Sequence, residues 1–201
     1  MKQSKTTIII IATLVVVLLL FVKAVMNKEN TIKEGKLVLL ELAPVDPRSL
    51  MQGDYMELNY AITREGRSWQ AVQVATEAFF ANDSIGNNSI ALDEAIALQE
   101  KKIKESKEIG VRGYVLLDID ANQVGHYVKM TDQIGEIGEG QVYIKFFNNT
   151  DWSYNIGAES FFFQEGEAEK YENAKYGGLR VDDKGNSILI GMYDESLQLI
   201  K

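Results

Sequence analysis

Cysteine is absent from this chain of 201 residues, histidine occurs once, and proline occurs only twice. Without cysteine the chain can form no disulfide bond and no thiolate metal site, and it has no cysteine nucleophile. The single histidine, His126, excludes metal sites that are built from several imidazoles. These absences remove several metal-binding and catalytic classes before any motif is considered.

Positive charge is scarce outside the N-terminus. The formal net charge is −8, and residues 1–28 carry four lysines and no acid, so removing their +4 leaves −12 on the rest of the chain. An acidic body of this kind repels the phosphate backbone of nucleic acids and anionic lipid headgroups. We therefore predict no nucleic-acid partner.

The N-terminus holds one long apolar run. Residues 8–22 are apolar apart from Thr13, and with its flanks the run covers residues 6–26, about the length that a membrane-spanning helix needs. A cleaved signal peptide is the competing interpretation, with a shorter apolar run and a small-residue cleavage site. The length of this run, the lack of an Ala-x-Ala step and the charge of Lys23 favour a retained anchor.

This anchor divides the chain into three parts. We predict a transmembrane signal anchor with basic flanks over residues 1–28, a polar linker over 29–35 and one domain over 36–201. The short segment before the apolar run favours a cytoplasmic N-terminus, although the lysines on its two sides are nearly balanced. The expected location is the cell membrane, crossed once, with the body on the extracytoplasmic side (periplasm or cell surface).

Both prolines fall in the stretch around which the domain is arranged. Pro44 and Pro47 follow an apolar segment at residues 37–42, and each biases the residue before it towards extended backbone. The step Gly53-Asp54 then predicts a tight turn. After this turn the sequence alternates, as in a half-buried strand. The apolar positions of that strand are Met56, Leu58, Tyr60 and Ile62.

Most of the remaining chain also predicts strands. Apolar or alternating segments lie at residues 114–119, 125–130, 141–147, 161–163, 179–181 and 187–192. Turn residues at 120–123 and 182–186 join two pairs of these segments as hairpins. Strands and helices do not alternate regularly, which argues against a parallel doubly wound sheet.

Two helices are predicted within the domain. One begins at Asn88 or Ser89 and runs to about residue 107, and a shorter one covers residues 165–176 and is ended by Gly177-Gly178. The predicted fold class is β-rich α+β. One N-terminal transmembrane helix is followed by a compact antiparallel β domain, a sandwich or a partly open barrel, with one or two short helices.

Two acidic segments invite a functional interpretation. Asp118, Asp120 and Asn122 begin like a calcium-binding loop, but Gln123 takes the position of its glycine and Lys129 that of its bidentate glutamate. A hairpin turn explains these residues better. The second segment has glutamates at positions 165, 167 and 169, which do not face each other on a helix, and a solvated helix start explains them.

One segment invites comparison with a peptidase. Residues 47–54 are weakly similar to the segment of type I signal peptidases in which a proline step leads into Gly-Asp. The serine nucleophile of those enzymes would fall near Val45, which cannot act as one, and no lysine follows Ser49 in a recognisable base context. We therefore disfavour a peptidase and predict no catalytic residue, no metal and no cofactor.

The stretch Gly53-Asp54-Tyr55-x-x-Leu58-x-Tyr60 resembles the signature of the GDYxxLxY family of bacterial membrane-anchored proteins. Residues 46–50 are similar to that family's usual lead-in, and residues 157–166 and 171–177 give a second matched block. The resemblance covers the anchor, residues 36–62 and about 110–200, so residues 64–109 are interpreted as a partly helical insertion. The matched positions, structural or binding in role, are Asp46, Pro47, Arg48, Gly53, Asp54, Tyr55, Leu58, Tyr60, Glu159, Ser160, Phe162, Glu165, Gly166 and Tyr171.

The resemblance implies a setting for the protein and no reaction, since the family has no assigned biochemical activity. Its members are typically encoded beside polytopic membrane proteins, which implies an assembly in the membrane. We therefore expect a non-enzymatic interaction module at the cell envelope, whose partners are the lipid bilayer and polytopic membrane proteins. The alternative is a hydrolase or ligand-binding domain whose site is built from residues scattered in the sequence.

Overall fold

A computed structural model of the chain describes residues 3–43, 55–65, 109–150 and 152–201, with side chains from residue 7 onwards. The elements in chain order are helix α1 (Gln3–Glu34), strands β1 (Lys36–Glu41) and β2 (Tyr55–Glu57), a 3₁₀ helix (Ala61–Arg64), strands β3 (Gly113–Ile119), β4 (Gly125–Thr131), β5 (Gln141–Phe146) and β6 (Ser160–Phe162), helix α2 (Ala168–Tyr171), and strands β7 (Tyr176–Val181) and β8 (Ser187–Tyr193).

Helix α1 is long and apolar enough to cross a membrane. Its candidate span is Thr7–Glu34, and its apolar side chains are exposed on all sides of the helix. A helix that is apolar all round is typical of a membrane span. At a rise of about 1.5 Å per residue the whole helix is about 48 Å long, which exceeds the roughly 30 Å hydrocarbon core of a bilayer.

The polar end of α1 differs from the predicted linker. The helix continues through Glu34, so all but the last residue of the segment 29–35 is helical. Glu29 and Lys33, one turn apart, form an ion pair at 2.9 Å. A search for apolar runs misses this segment because it is polar, although lysine and glutamate are good helix formers.

Helix α1 is joined to the domain through the turn between β7 and β8. The hydroxyl of Thr31 is buried and hydrogen-bonds Oδ2 of Asp182 at 3.0 Å, with the Asn27 carbonyl as a second acceptor at 3.1 Å. The Arg180 guanidinium donates to the Gly35 carbonyl at 2.9 Å. A Cβ atom at Gly35 would lie 2.3 Å from the Thr31 carbonyl oxygen, so only glycine fits there.

In the described part of the chain, eight strands form three antiparallel sheets. Their strand orders are β1-β7-β8, β2-β6 and β4-β3-β5, and the predicted hairpins β3–β4 and β7–β8 are confirmed. Backbone hydrogen bonds join the first sheet to the third. The Leu39 N–H donates to the Gln123 carbonyl, and the Lys145 N–H donates to the Gly185 carbonyl, both at 2.8 Å. The predicted β-rich α+β class is confirmed, as three small sheets rather than a closed barrel within these residues.

One hydrophobic core lies between the three sheets. The alternation predicted for residues 56–62 is confirmed, because Met56, Leu58, Tyr60 and Ile62 are all buried. Regular strand covers only β2, and Ile62 lies in the 3₁₀ helix. The side chains that pack on these four from the other strands and loops include Val38, Leu40, Val115, Leu117, Ile144, Phe146, Tyr154, Leu179 and Met192.

Helix α2 is shorter than the helix predicted over residues 165–176. Only four residues are helical, and Tyr176 already begins β7. Gly177 and Gly178 therefore lie inside a strand and do not end a helix. A Cβ atom at Gly177 would lie 2.8 Å from Cε1 of Tyr60, so the glycine is explained by the close approach of this ring.

The predictions made for residues 44–54 and for the helix ending near residue 107 lie outside the described residues. They include the proline loop, the Gly53-Asp54 turn and most of the proposed insertion over residues 64–109. The division into an anchor (1–28), a linker (29–35) and a domain (36–201) stays a prediction.

Candidate interaction surface

The two sequence blocks that carry the family resemblance pair with each other. Strands β2 and β6 are antiparallel, with Tyr55 opposite Phe162 and Glu57 opposite Ser160. The pairing continues past the strands, because the Leu58 N–H donates to the Glu159 carbonyl at 2.8 Å. Residues 55–60 and 157–162, about a hundred positions apart in the chain, thus form one two-stranded unit, which we call the motif ribbon.

Tyr60 fixes the inner face of the motif ribbon. Its side chain is fully buried, and its hydroxyl donates to the Ala158 carbonyl at 2.8 Å. Burial, together with the nearby negative charge of Glu159, raises the pKa of Tyr60 well above its ordinary value. The hydroxyl therefore stays protonated and acts as a structural donor between the two halves of the ribbon.

Glu159 orders the loop that supplies the acceptor for Tyr60. Its Oε1 accepts hydrogen bonds from the Ile156 N–H at 2.5 Å and from the Gly157 N–H at 3.0 Å. These bonds hold residues 156–159 in a tight turn around the carboxylate. The carbonyl of Ala158 is held within this turn, directed at the Tyr60 hydroxyl.

Tyr154, which is not among the predicted site residues, packs and hydrogen-bonds next to the motif ribbon. Its buried hydroxyl donates to the Ile62 carbonyl at 2.7 Å, and the Thr63 hydroxyl donates to the Tyr60 carbonyl at 2.8 Å. The Tyr154 ring packs on Phe146, with 5.4 Å between ring centroids. These contacts fix the 3₁₀ helix that follows the motif.

An aromatic cluster attaches α2 to the ribbon. The Tyr171 ring lies 4.9 Å from the Phe161 centroid and 5.6 Å from that of Phe163. Tyr171 is buried. Its role in the described structure is packing.

The outer face of the ribbon carries an exposed aromatic pair, Tyr55 and Phe162. Their ring centroids are 5.8 Å apart, and 39% of Tyr55 and 74% of Phe162 are accessible. Phe162 is the most exposed large apolar side chain in the described residues. Glu57 and Ser160, also exposed, form the neighbouring cross-strand pair. The ribbon therefore presents an apolar patch with a polar margin.

The remaining predicted site residues are not brought together with this patch. Glu165 and Gly166 are exposed in the turn before α2. The residues Asp46, Pro47, Arg48, Gly53 and Asp54 lie outside the described residues.

The aspartates that begin like a calcium-binding loop form a hairpin turn, as predicted. Oδ1 of Asp120 accepts from the Asn122 N–H at 2.8 Å and from the Val124 N–H at 2.9 Å. These bonds, the one from Val124 most of all, lower the pKa of Asp120 below its ordinary value. Among the described residues no three or more histidine, aspartate or glutamate side chains form a group that could hold a metal ion.

A groove of about 410 Å³ lies beside the motif ribbon. Its walls come from residues 58–60, the end of the 3₁₀ helix and residues 152–155, together with Glu159. Trp152 stands on its wall with 70% of its side chain accessible. The groove is not evident from the sequence, because its two walls are about ninety residues apart in the chain and neither carries a motif for a ligand.

A family model described as GDYXXLXY protein matches residues 17–192. The chain belongs to the GDYXXLXY protein family. Comparison with curated proteins finds no match, and comparison with solved structures finds none. In this GDYXXLXY protein the described letters of the signature divide between two faces. Leu58 and Tyr60 point into the core, whereas Tyr55 lies on the exposed face.

Proposed function

We propose that this GDYXXLXY protein is a single-pass, membrane-anchored interaction module of the cell envelope that docks on a polytopic membrane protein and has no catalytic activity of its own. The observation that carries the proposal is the aromatic pair on the outer face of the motif ribbon.

The exposed pair has the chemistry of an interface anchor. Aromatic side chains combine a large apolar surface with few rotatable bonds, and buried aromatics contribute much of the binding energy at protein interfaces. Because 74% of Phe162 is accessible, the fold buries little of its apolar surface. A partner that covered Phe162 and Tyr55 would gain this apolar area, and the polar residues Glu57 and Ser160 would lie at the margin of the contact.

The inner face of the ribbon supports the same role. The Tyr60 hydroxyl and the Glu159 carboxylate both bond to backbone groups, and Leu58 lies in the core. These contacts hold the backbone beneath the aromatic pair, so the pair loses little conformational freedom on binding. Rigid support of exposed aromatic rings suits a docking surface.

The anchor helix supports a partner in the same membrane. Helix α1 is long and apolar enough to span a bilayer, and its polar end is joined to the domain through Thr31 and Asp182. The −12 charge of the chain beyond residue 28 disfavours nucleic acid and anionic lipid as binding partners of the domain. The anchor helix and the acidic charge therefore favour a membrane protein with a complementary surface as the partner.

Photo-crosslinking tests the proposal. A photoreactive phenylalanine analogue at position 162 of the full-length chain should crosslink, in native membranes, to a protein with several transmembrane helices that mass spectrometry identifies. In mild-detergent pull-downs, Phe162→Ala and Tyr55→Ala should each lower recovery of that protein at least tenfold, because each removes buried apolar area from the interface.

Trp152→Ala is the matched control, since it truncates a similarly exposed aromatic side chain that is not part of the aromatic pair. Recovery of the partner should be unchanged by it. The proposal is wrong if the Phe162→Ala protein recovers the same partner in the same amount, or if position 162 crosslinks only to lipid.

A further inference from the structure

The groove beside the motif ribbon has the size of a small-ligand site. Its volume of about 410 Å³ falls within the roughly 300–1,000 Å³ that is usual for ligand pockets. Leu58, Tyr60 and Tyr154 are among its lining residues, and all three are almost fully buried beneath it. The same buried residues that hold the ribbon therefore shape this concave surface.

Part of the polar lining of the groove makes no side-chain hydrogen bond among the described residues. The side chains of Asn59, Arg64 and Asn155 make no hydrogen bond in the part of the chain that the structure describes. Glu159 uses only Oε1 for its own loop, which leaves Oε2 without a partner among the same residues. Two amides, a guanidinium and a carboxylate oxygen thus line one groove with donors and acceptors to spare.

The backbone at Trp152 and Ser153 is hydrogen-bonded to the Thr150 hydroxyl. The Thr150 hydroxyl accepts from the Trp152 N–H at 3.3 Å and lies 2.8 Å from the Ser153 carbonyl, to which it donates. Trp152 is one of the residues that line the groove, and 70% of it is accessible. A flat apolar ring thus stands beside a set of planar polar groups.

We propose that this groove binds a neutral glycan. A sugar ring has an apolar face of C–H groups, which can stack on the Trp152 indole, and an edge of hydroxyl groups that both donate and accept hydrogen bonds. The amides of Asn59 and Asn155 match such hydroxyls, because each amide offers both a donor and an acceptor.

The charge of the lining favours a neutral ligand over an anion. Arg64 and Glu159 are the charged residues among those that line the groove, and their formal charges cancel. A phosphate or a carboxylate would meet one cation and one anion, in a chain that is acidic beyond residue 28. A glycan needs hydrogen bonds and an apolar face instead, and both are present.

Ligand binding to the full-length chain tests this inference. The protein is kept in a zwitterionic detergent, because detergents with sugar headgroups would compete, and is titrated with the trimer of N-acetylglucosamine and with maltotriose. Saturation-transfer NMR and calorimetry should show binding of at least one trisaccharide with a Kd of about 1 mM or tighter. Inorganic phosphate should not bind.

The variants separate this site from the docking surface. Trp152→Ala should weaken glycan binding at least tenfold, and Asn59→Ala and Arg64→Ala should each weaken it about threefold to tenfold, since each removes hydrogen bonds or stacking. Phe162→Ala should bind the trisaccharide like the parent. Trp152→Ala should still recover the partner protein, so the failure of one proposal does not entail the failure of the other.

The inference is overturned if neither trisaccharide binds at about 10 mM, a concentration that would detect even weak association. It is also overturned if Trp152→Ala, Asn59→Ala and Arg64→Ala all bind like the parent, or if phosphate competes with the sugar. Thermal melts of the three variants check that they fold. Asn59 and Arg64 provide independent tests if truncation of Trp152 disturbs its turn.

Discussion

Tyr60 joins three parts of the fold through one residue. Its backbone pairs with Leu42 beyond the end of β1, its hydroxyl reaches the Ala158 carbonyl, and its ring lies against Gly177 of β7. The first and third contacts are with the β1–β7 part of one sheet, and the second is with the loop before β6. The last tyrosine of the family signature therefore positions the motif ribbon against the rest of the domain.

Replacing this tyrosine by phenylalanine should destabilise the protein. Tyr60→Phe keeps the ring but leaves the Ala158 carbonyl without its donor, and an unsatisfied buried acceptor costs about 1–3 kcal/mol. Chemical unfolding of the full-length chain in detergent measures the loss. Tyr55→Phe is the control, because the Tyr55 ring is exposed and its change should be close to zero. Equal stability of both variants would contradict the role of the hydroxyl.

Leu58 should contribute chiefly by packing. Only 2% of its side chain is accessible, so Leu58→Ala should lower the free energy of unfolding by about 2–5 kcal/mol. The adjacent exposed residue provides the control, since Glu57→Ala removes a side chain from the solvent side of β2. Thermal melts should separate the two variants clearly. Little difference between them would place Leu58 outside the core.

Gly177 should tolerate no side chain. A Cβ atom there would lie 2.8 Å from Cε1 of Tyr60 and 3.0 Å from its hydroxyl oxygen. Gly177→Ala should therefore cost about 1–3 kcal/mol, the usual range for overpacking a core. Gly110→Ala makes the same chemical change where no atom lies within 4 Å, and its stability should match the parent within error. Unfolding curves of the two variants decide the point.

At the scale of elements, the sequence patterns correctly predicted the features that depend on residues close together in the chain. The period of two in residues 56–62 identified the buried side chains correctly, and turn residues identified both hairpins. Two elements were missed for different reasons. The polar end of α1 has no apolar periodicity to detect. Gly177 was predicted to end a helix. A glycine is needed there because the ring of Tyr60, more than a hundred residues away in the chain, approaches it closely.

The candidate surface was predictable in part. The sequence identified Tyr55, Phe162 and Tyr171 as matched positions but could not say which of them is exposed. That distinction depends on the register of β2 against β6, which pairs Tyr55 with Phe162 on the outer face. The groove was beyond prediction, because Asn59 and Trp152 meet only after the chain has folded.

The junction between α1 and the domain depends on one carboxylate. Asp182 accepts from Thr31 and from both the backbone and side chain of Asn186. Asp182→Asn replaces one acceptor oxygen by a donor, so the Thr31 bond should be lost and hydrogen exchange at residues 31–35 should accelerate at least tenfold. Asp183→Asn is the control with the same charge change at an exposed neighbour. Unchanged exchange in the Asp182 variant would contradict this role.

Acid should loosen the same junction. Burial alone would raise the pKa of Asp182, but the hydrogen bonds from Asn186, Thr31 and the Lys184 N–H outweigh it and lower the pKa below the ordinary 3.8. A carboxyl whose pKa is depressed by folding stabilises the fold above its unfolded pKa, and this contribution is lost as the pH falls from that value through the lower pKa of the folded state. Protection of the amides at residues 31–35, measured relative to their intrinsic exchange rates at each pH, should therefore fall below about pH 4, and the Asp182→Asn protein should show a smaller fall.

At the scale of the whole molecule, we predict that α1 is retained in the mature protein. The apolar run is long, and no small-residue cleavage step follows it. Intact-mass measurement of protein purified from membranes should give about the 22.6 kDa of the complete chain. A mature N-terminus near Asn27 would show that the helix is a removed signal, and the membrane-anchored function would fall with it.

The hydrogen bond between Thr31 and Asp182 limits where the domain can go once the helix is in a bilayer. Thr31 lies five residues, or about 8 Å along the helix, beyond Met26, where the apolar run ends. A flexible linker would let the domain tumble through a hemisphere above the lipid. When a continuous helix ends on the β7–β8 turn, the domain can still diffuse laterally and rotate about the membrane normal. On the proposed function, a partner of the aromatic pair therefore has to present its contact surface within a limited range of heights above the bilayer, set by the tilt of the helix.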